Sequence, residues 1–377
     1  MTSRKVLQVF QSQVNFTRRL SNAAQRCVRN HHDLKFLPEA ELAPLMAYFP
    51  KFIEDVTHKD MLLGVTKVNK RFERLIKHNL PTGKLLRLHT FIYVYKAIEK
   101  HYSNGPLDEE KLNRLYQLSW CLEAHNNTYC MVDDMMDSND TRRGIPTWAT
   151  LMGAGTANDA LLLEYILMRL LKKYLKGHPN QEKIIDTFLE PHCPISMALE
   201  LETTNLADFT MDTLKEIAAL KMMRHNFNHP IEVATLLADK AYFMNDMIKK
   251  ALVHMGFLYG IQNDMADCYG NNVTGKRCAD IQDKRCGLPI VIALSKANST
   301  QKKILEENYG FKDEVKVEKI KAIFDELDVL DEYYKIEDEY KQKLSDEIEK
   351  IQDEFSKDVM WKLANVNTYG ELGDSPY

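Results

Sequence analysis

The chain has 377 residues, 45% of them apolar, and a formal net charge of −4. So balanced a charge gives no case for nucleic-acid binding, and 15 glycines with 12 prolines are too few for a turn-rich β architecture. Seven cysteines, an odd number with no CxxC spacing, argue against a disulfide framework and for a reducing compartment.

The first thirty residues carry Arg4, Lys5, Arg18, Arg19, Arg26 and Arg29 with no acidic residue before Asp33. That is the composition of a mitochondrial transit peptide or of a plain basic extension. We therefore divide the chain into a basic arm, 1–35, and a helical domain, 36–377, with a cytoplasmic or mitochondrial location expected. No apolar run can span a bilayer, because the strongest, Ala160 to Leu175, is interrupted by Glu164, Arg169, Lys172 and Lys173.

Beyond the arm, apolar residues step by three or four at Leu85, Leu88, Ile92 and Tyr95, at Ile320, Phe324 and Leu327, and at Leu344, Ile348, Ile351 and Phe355. Breakers fall at 103–106, 177–180, 191–194, 270–275 and 298–300. The prediction is one all-α domain of about ten or more helices. The stretch 312–357, dense in both charge signs, reads as solvent-facing helices with internal ion pairs.

Four stretches carry chemistry. Thr82 to Arg87 places Lys84 and Arg87 three apart at a helix start after Pro81, where backbone N–H groups and the helix dipole favour a phosphate. Cys130 to Trp148 reads CMVDDMMDSNDTRRGIPTW. On a helix its Asp133, Asp134 and Asp137 project from nearly one face, a repulsion that Mg²⁺ bridging to phosphate would relieve. Lys221 lies in the apolar stretch Leu220 to Met223 and needs an anionic partner if buried. Gly260 to Gly270, GIQNDMADCYG, repeats the acidic geometry with Asn263, Asp264 and Asp267, followed by Lys276 and Asp280.

In this order and spacing the motifs resemble the trans-isoprenyl diphosphate synthases, above all the farnesyl diphosphate synthases. The resemblance implies an all-helical bundle around a central active-site cavity, a homodimer, a prenyl diphosphate substrate and three Mg²⁺ ions. It implies Asp133 and Asp137 as metal ligands with Asp134 in support, and Asn263, Asp264 and Asp267 on the second side. Arg142, Lys221 and Lys276 would hold the allylic diphosphate, with Asp280 behind them. Lys84, Arg87 and Arg143 would hold isopentenyl diphosphate.

Several positions depart from the family pattern. Asn263 replaces the first aspartate of the second motif, Asn126 a glutamine, Met222 a threonine and Gly260 a further glutamine, and the chain ends GELGDSPY rather than in a basic tail. An Asn–Asp start resembles the metal motif of class I terpene cyclases, and a shortened Asn126 weakens the positioning that condensation needs. These departures predict a terpene synthase of the insect type, which ionises farnesyl diphosphate to a sesquiterpene. The alternatives are a farnesyl or geranyl diphosphate synthase, which retention of Lys84, Arg87 and Arg143 favours, and a non-catalytic subunit of a prenyltransferase. On the cavity floor, Thr128 leaves room for a long chain and Tyr129 either faces the carbocation or packs as an ordinary aromatic. His225, Asn226, Asn228 and His229, where the family is apolar, are expected to hydrogen-bond within the bundle.

Overall fold

The computed structural model describes residues 37–103, 105–269 and 278–368. The basic arm, Lys276 and the last nine residues lie outside them. Among the described residues the chain is helical apart from one two-residue hairpin, β1 Thr141–Arg142 with β2 Ile145–Pro146. The principal helices are α1 Glu39–Thr57, α2 Thr66–Asn79, α3 Leu86–Tyr102, α4 Glu109–Met136, α5 Gly155–Tyr174, α6 Gln181–Leu189, α7 His192–Glu202 and α8 Met211–Ile217. After a π-helical segment, Ala218–Asn228, come α9 His229–Leu237, α10 Asp246–Tyr269, α11 Leu288–Lys296, α12 Ser299–Asn308, α13 Glu314–Glu326, α14 Val329–Glu349 and α15 Glu354–Asn367.

The organising element is α4. Its start is set by Asp108, whose side chain accepts the Lys111 N–H, and by Glu109 and Glu110 in the first turn, where carboxylates suit the positive helix end. Every residue from Leu118 to Thr128 is buried, and a helix covered on all sides must run through the middle of its bundle. It packs against α5 on one side and α3 on another. Trp120, fully buried, donates from Nε1 to the Leu45 carbonyl at 3.2 Å and so ties α1 to it.

On the far side of the bundle, α10 packs against the π segment and α14. The approach is close: a Cβ at Gly256 would lie 2.8 Å from backbone atoms of Met223, so this position tolerates no side chain. The expected helical phases at 85–95, 320–327 and 344–355 fall on α3, α13 and the stretch from α14 into α15, and the expected breakers at 103–106, 177–180, 191–194 and 298–300 fall at helix ends. One boundary differs. The helix expected just after Pro81 begins at Leu86, because Gly83 and Leu85 both take left-handed backbone (φ +90° and +47°). Lys84 therefore precedes the helix and Arg87 lies in its first turn.

Candidate active site

The first aspartate motif sits at the end of α4. Asp133 and Asp134 belong to its last turn and Asp137 is its C-cap, so three carboxylates crowd the end that already carries the negative helix dipole. Cations from three separate places compensate them, and a fourth, Lys312, caps the carbonyls beyond them. Arg142, on the β hairpin, folds back to donate to Asp134 at 2.9 Å and to Asp133 at 2.9 Å. Lys221 stands 3.5 Å from Asp133 and 2.8 Å from Glu202 at the end of α7. Arg285 joins Asp133 (2.7 Å) to Asp137 and Glu202. Lys312 donates to the Ser138 carbonyl at 2.7 Å.

Burial works against ionisation of Asp133, but Lys221, Arg285 and Arg142 together hold its carboxyl well below the ordinary aspartate range. Burial raises Asp134 and Asp137, opposed by Arg142 and Arg285 respectively. Burial would lower Lys221, but Asp133 and Glu202 outweigh it and keep it protonated. The anionic partner that Lys221 was expected to need is thus Glu202 as well as Asp133. Glu202 and Arg285 escaped the sequence reading, because nothing local to either marks it; they meet only through the fold.

The second motif lies on the last turns of α10. Asp264 accepts the Leu288 N–H at 2.9 Å and buried Asp267 accepts the Asp280 N–H at 2.9 Å, so both carboxylates anchor the segment 278–288. That segment carries Arg285 to the first motif. Asp283, on the same segment, is raised to about 6 by burial and then by Asp137, with Asp267 adding to the effect. The two motifs therefore share one electrostatic environment, as the family resemblance implied. Oxygen donors packed this densely suit Mg²⁺ or another hard divalent cation.

A separate cationic group forms where α3 begins. Arg143, in left-handed backbone (φ 56°), lies against Gly83 and donates to the carbonyl and hydroxyl of Thr82, the latter at 2.9 Å. Arg87 donates to Asn226, and Glu123 offsets its burial. Lys84 sits 5.9 Å from the Tyr259 ring centroid. Here too lie two of the departures, packed on each other: a Cβ at Gly260 would be 3.5 Å from Met222 Cγ. The larger Met222 faces the smaller Gly260, so the two changes exchange volume.

Below the carboxylates, the floor along α4 is polar. Tyr129 bonds through its hydroxyl to His192 Nδ1 (2.9 Å) and His125 Nε2 (3.2 Å), and His192 Nε2 reaches Glu164 at 3.1 Å. Thr128 donates to the His125 carbonyl at 2.7 Å. Asn126 accepts from His225 Nε2 at 3.3 Å, and Asn226 donates to Met222 Sδ. The expectation of hydrogen bonds within the bundle holds for His225 and Asn226. For His229 it fails: both its ring nitrogens are buried without a partner among the described residues, as is Asn228 Oδ1.

Comparison with known proteins decides the family. Residues 69–327 match the polyprenyl synthetase family. The chain belongs to it. A rat farnesyl pyrophosphate synthase is 33% identical over 308 residues, 78% of this chain and 86% of the relative. The Kluyveromyces lactis farnesyl pyrophosphate synthase is 30% identical over 341 residues, 86% of this chain and 97% of the relative. The fold is that of a Trypanosoma brucei farnesyl diphosphate synthase solved with a bisphosphonate, at TM-score 0.78 and 20% identity over 87% of this chain and 99% of that one.

These findings correct the terpene-synthase expectation, and with it the lyase reaction, the sesquiterpene product and the insect type. The relatives that match over most of the chain are prenyltransferases by name. Of the departures from the family pattern, Met222 and Gly260 pack against each other and Asn126 is one partner in a local network. The family reading of the chain as an isoprenyl diphosphate synthase stands, with a divalent metal and a prenyl diphosphate substrate. Among the described residues no helix is long and apolar enough to cross a membrane.

Proposed function

We propose that the chain is a Mg²⁺-dependent prenyltransferase that condenses isopentenyl diphosphate with an allylic diphosphate to give farnesyl or geranyl diphosphate. The observation that supports condensation most directly is the division of the cations into two groups. Arg142, Lys221 and Arg285 engage the aspartates, whereas Arg87 and Arg143 meet the neutral oxygens of Asn226 and Thr82 beside Lys84. Two diphosphates require two such places.

In this reading Asp133, Asp137 and Asp264 would hold the metal, which would supply positive charge to offset that of the departing diphosphate. Three ions are expected by the family resemblance. Arg142 and Lys221 exchange their carboxylate partners for the diphosphate oxygens, a transfer between charge-assisted hydrogen bonds of similar strength. The allylic tail follows α4 past Tyr129 toward the floor. Lys84, Arg87 and Arg143 fix isopentenyl diphosphate so that its alkene meets the allylic C1. The C1–O bond breaks, a C–C bond forms, a proton leaves the new chain and diphosphate is released. Holding the two carbons in contact is the main contribution of these side chains.

The chain is further expected to form a homodimer. Leu161 and Tyr165, one turn apart on α5, are 74% and 56% exposed and supply an apolar strip for a second copy; sedimentation of the full chain at monomer mass would reject this. For the reaction itself, Lys84→Ala and Arg87→Ala should each raise the KM for isopentenyl diphosphate by about 10- to 100-fold, the loss of a charge-assisted bond of about 1.5–3 kcal/mol. The KM for the allylic substrate should change little. Equal effects on both substrates would refute the division into two sites.

A further inference from the structure

Two turns below Asp133 on α4, about 12 Å along the helix, three buried histidines face one another. His125 comes from α4, His225 from the π segment and His229 from the start of α9, and each offers a ligand atom within 4.8 Å of those of the other two. Their ring centroids are 5.7, 5.3 and 6.1 Å apart. A tetrahedral ion with Zn–N bonds of about 2.0–2.1 Å holds its imidazole nitrogens about 3.4 Å apart, so a small inward movement of the rings would close a site.

The hydrogen bonds fix which nitrogens carry lone pairs. His192 donates from Nε2 to Glu164, which leaves its Nδ1 to accept from the Tyr129 hydroxyl; the Tyr129 oxygen then accepts from His125 Nε2. His225 donates from Nε2 to Asn126 Oδ1. In both His125 and His225 the remaining nitrogen is therefore an unprotonated Nδ1. Those Nδ1 atoms, and both nitrogens of His229, are the ones buried with no partner among the described residues. A buried nitrogen lone pair with nothing to accept is unfavourable by about 1–3 kcal/mol, and three in one place need a common occupant. Burial lowers all three imidazoles, His125 and His229 to about 3, so a second proton is not that occupant.

We propose that His125, His225 and His229 form a transition-metal site, taking one Zn²⁺ per chain and distinct from the carboxylate site for Mg²⁺. Imidazole nitrogen suits Zn²⁺ and suits Mg²⁺ poorly. The outer contacts match the usual arrangement around zinc histidines, in which the far ring nitrogen donates to an amide or carboxylate oxygen and so orients the ligand. Asn126 does this for His225; for His125 it is the Tyr129–His192–Glu164 chain, with the Glu164 carboxylate itself 3.6 Å from His125 Nε2. The fourth coordination position is left to water or another small ligand. A bound ion would hold three helical segments together under the allylic tail.

The test uses tag-free full-length protein stripped with a chelator and returned to excess Mg²⁺, which occupies the carboxylates. Titration with Co²⁺, a spectroscopic stand-in for Zn²⁺, should give tetrahedral visible absorption that saturates at one ion per chain and is displaced by Zn²⁺. His229→Gln and His225→Gln should each weaken Zn²⁺ binding by about tenfold or more, while Asp137→Asn leaves it unchanged. Absence of tetrahedral absorption in the unmodified protein would overturn the proposal, and so would binding that survives both histidine changes or is lost in Asp137→Asn.

Discussion

The two ends of the buried stretch of α4 solve opposite problems. At its C-terminal end three aspartates are compensated by cations brought from the hairpin, the π segment and the loop after α10, so the mouth is fully charged and fully paired. Two turns lower the same helix offers neutral imidazoles with unpaired nitrogens and no cation among their hydrogen-bond partners. The mouth can exchange partners when charged substrates arrive, because each ion pair can be replaced by another. The imidazoles of the floor carry no charge to exchange; their unpaired nitrogens lack a donor among the described residues. The comparison teaches that burial alone does not set the chemistry of a position: what decides it is which charges the neighbouring segments deliver.

The largest effect should come from the mouth. Asp133→Ala or Asp137→Ala removes a metal ligand and should lower kcat for condensation by about 10³-fold, measured in steady state with saturating Mg²⁺; a loss below about tenfold would mean that the carboxylates only balance charge. Next is Arg285→Met. It leaves Asp133, Asp137 and Glu202 facing one another and should destabilise the metal-free protein by about 3 kcal/mol, with much of the loss recovered when Mg²⁺ is added. A destabilisation that Mg²⁺ does not touch would separate Arg285 from the metal site.

The smallest effect belongs to the floor and to pH. His125 and His229 titrate near 3 in the folded chain and at an ordinary 6.5 when unfolded, and His225 is lowered in the same sense. Groups lowered in this way bind more protons in the unfolded state, so their contribution is present above pH 6.5 and is lost as pH falls. Between pH 7 and 5.5 the loss should be about 1 kcal/mol per histidine, read from urea unfolding of the metal-free protein. His125→Gln should remove one histidine's share of that slope, to which His89, lowered to about 4 by burial, also contributes; an unchanged slope would mean that other groups carry it.

How much of this could be read from the chain depends on distance in sequence. Asp133, Asp134 and Asp137 lie within five residues, so helix geometry alone places them together, whereas Arg142, on the hairpin beyond the helix, was tied to them only by the family pattern, and all four do meet. Lys84, Arg87 and Arg143 needed the family pattern, since Arg143 reaches Thr82 from 61 residues away. The floor was legible only in part: Thr128, Tyr129, His225 and His229 stood out as letters, but not their meeting. His125, Glu164, His192 and His229 sit on four different helices, and no spacing rule connects them. The π segment hides His225 further, because its turns are wider than the 3.6-residue period on which sequence patterns rest. Arg285, five residues after Asp280, has no local mark, and only the docking of 278–288 by Asp264 and Asp267 gives it a role. The Met222, Gly260 and Asn126 departures were legible as letters, but their partners, Met222 against Gly260 and His225 against Asn126, are tertiary.

The most direct test of the account is incubation of the purified full-length chain with Mg²⁺, geranyl diphosphate and isotopically labelled isopentenyl diphosphate, followed by separation of the prenyl diphosphates. The account predicts labelled farnesyl diphosphate, formed only when both substrates are present and reduced in Lys84→Ala. Failure to incorporate label, with farnesyl diphosphate consumed when supplied alone, would contradict it.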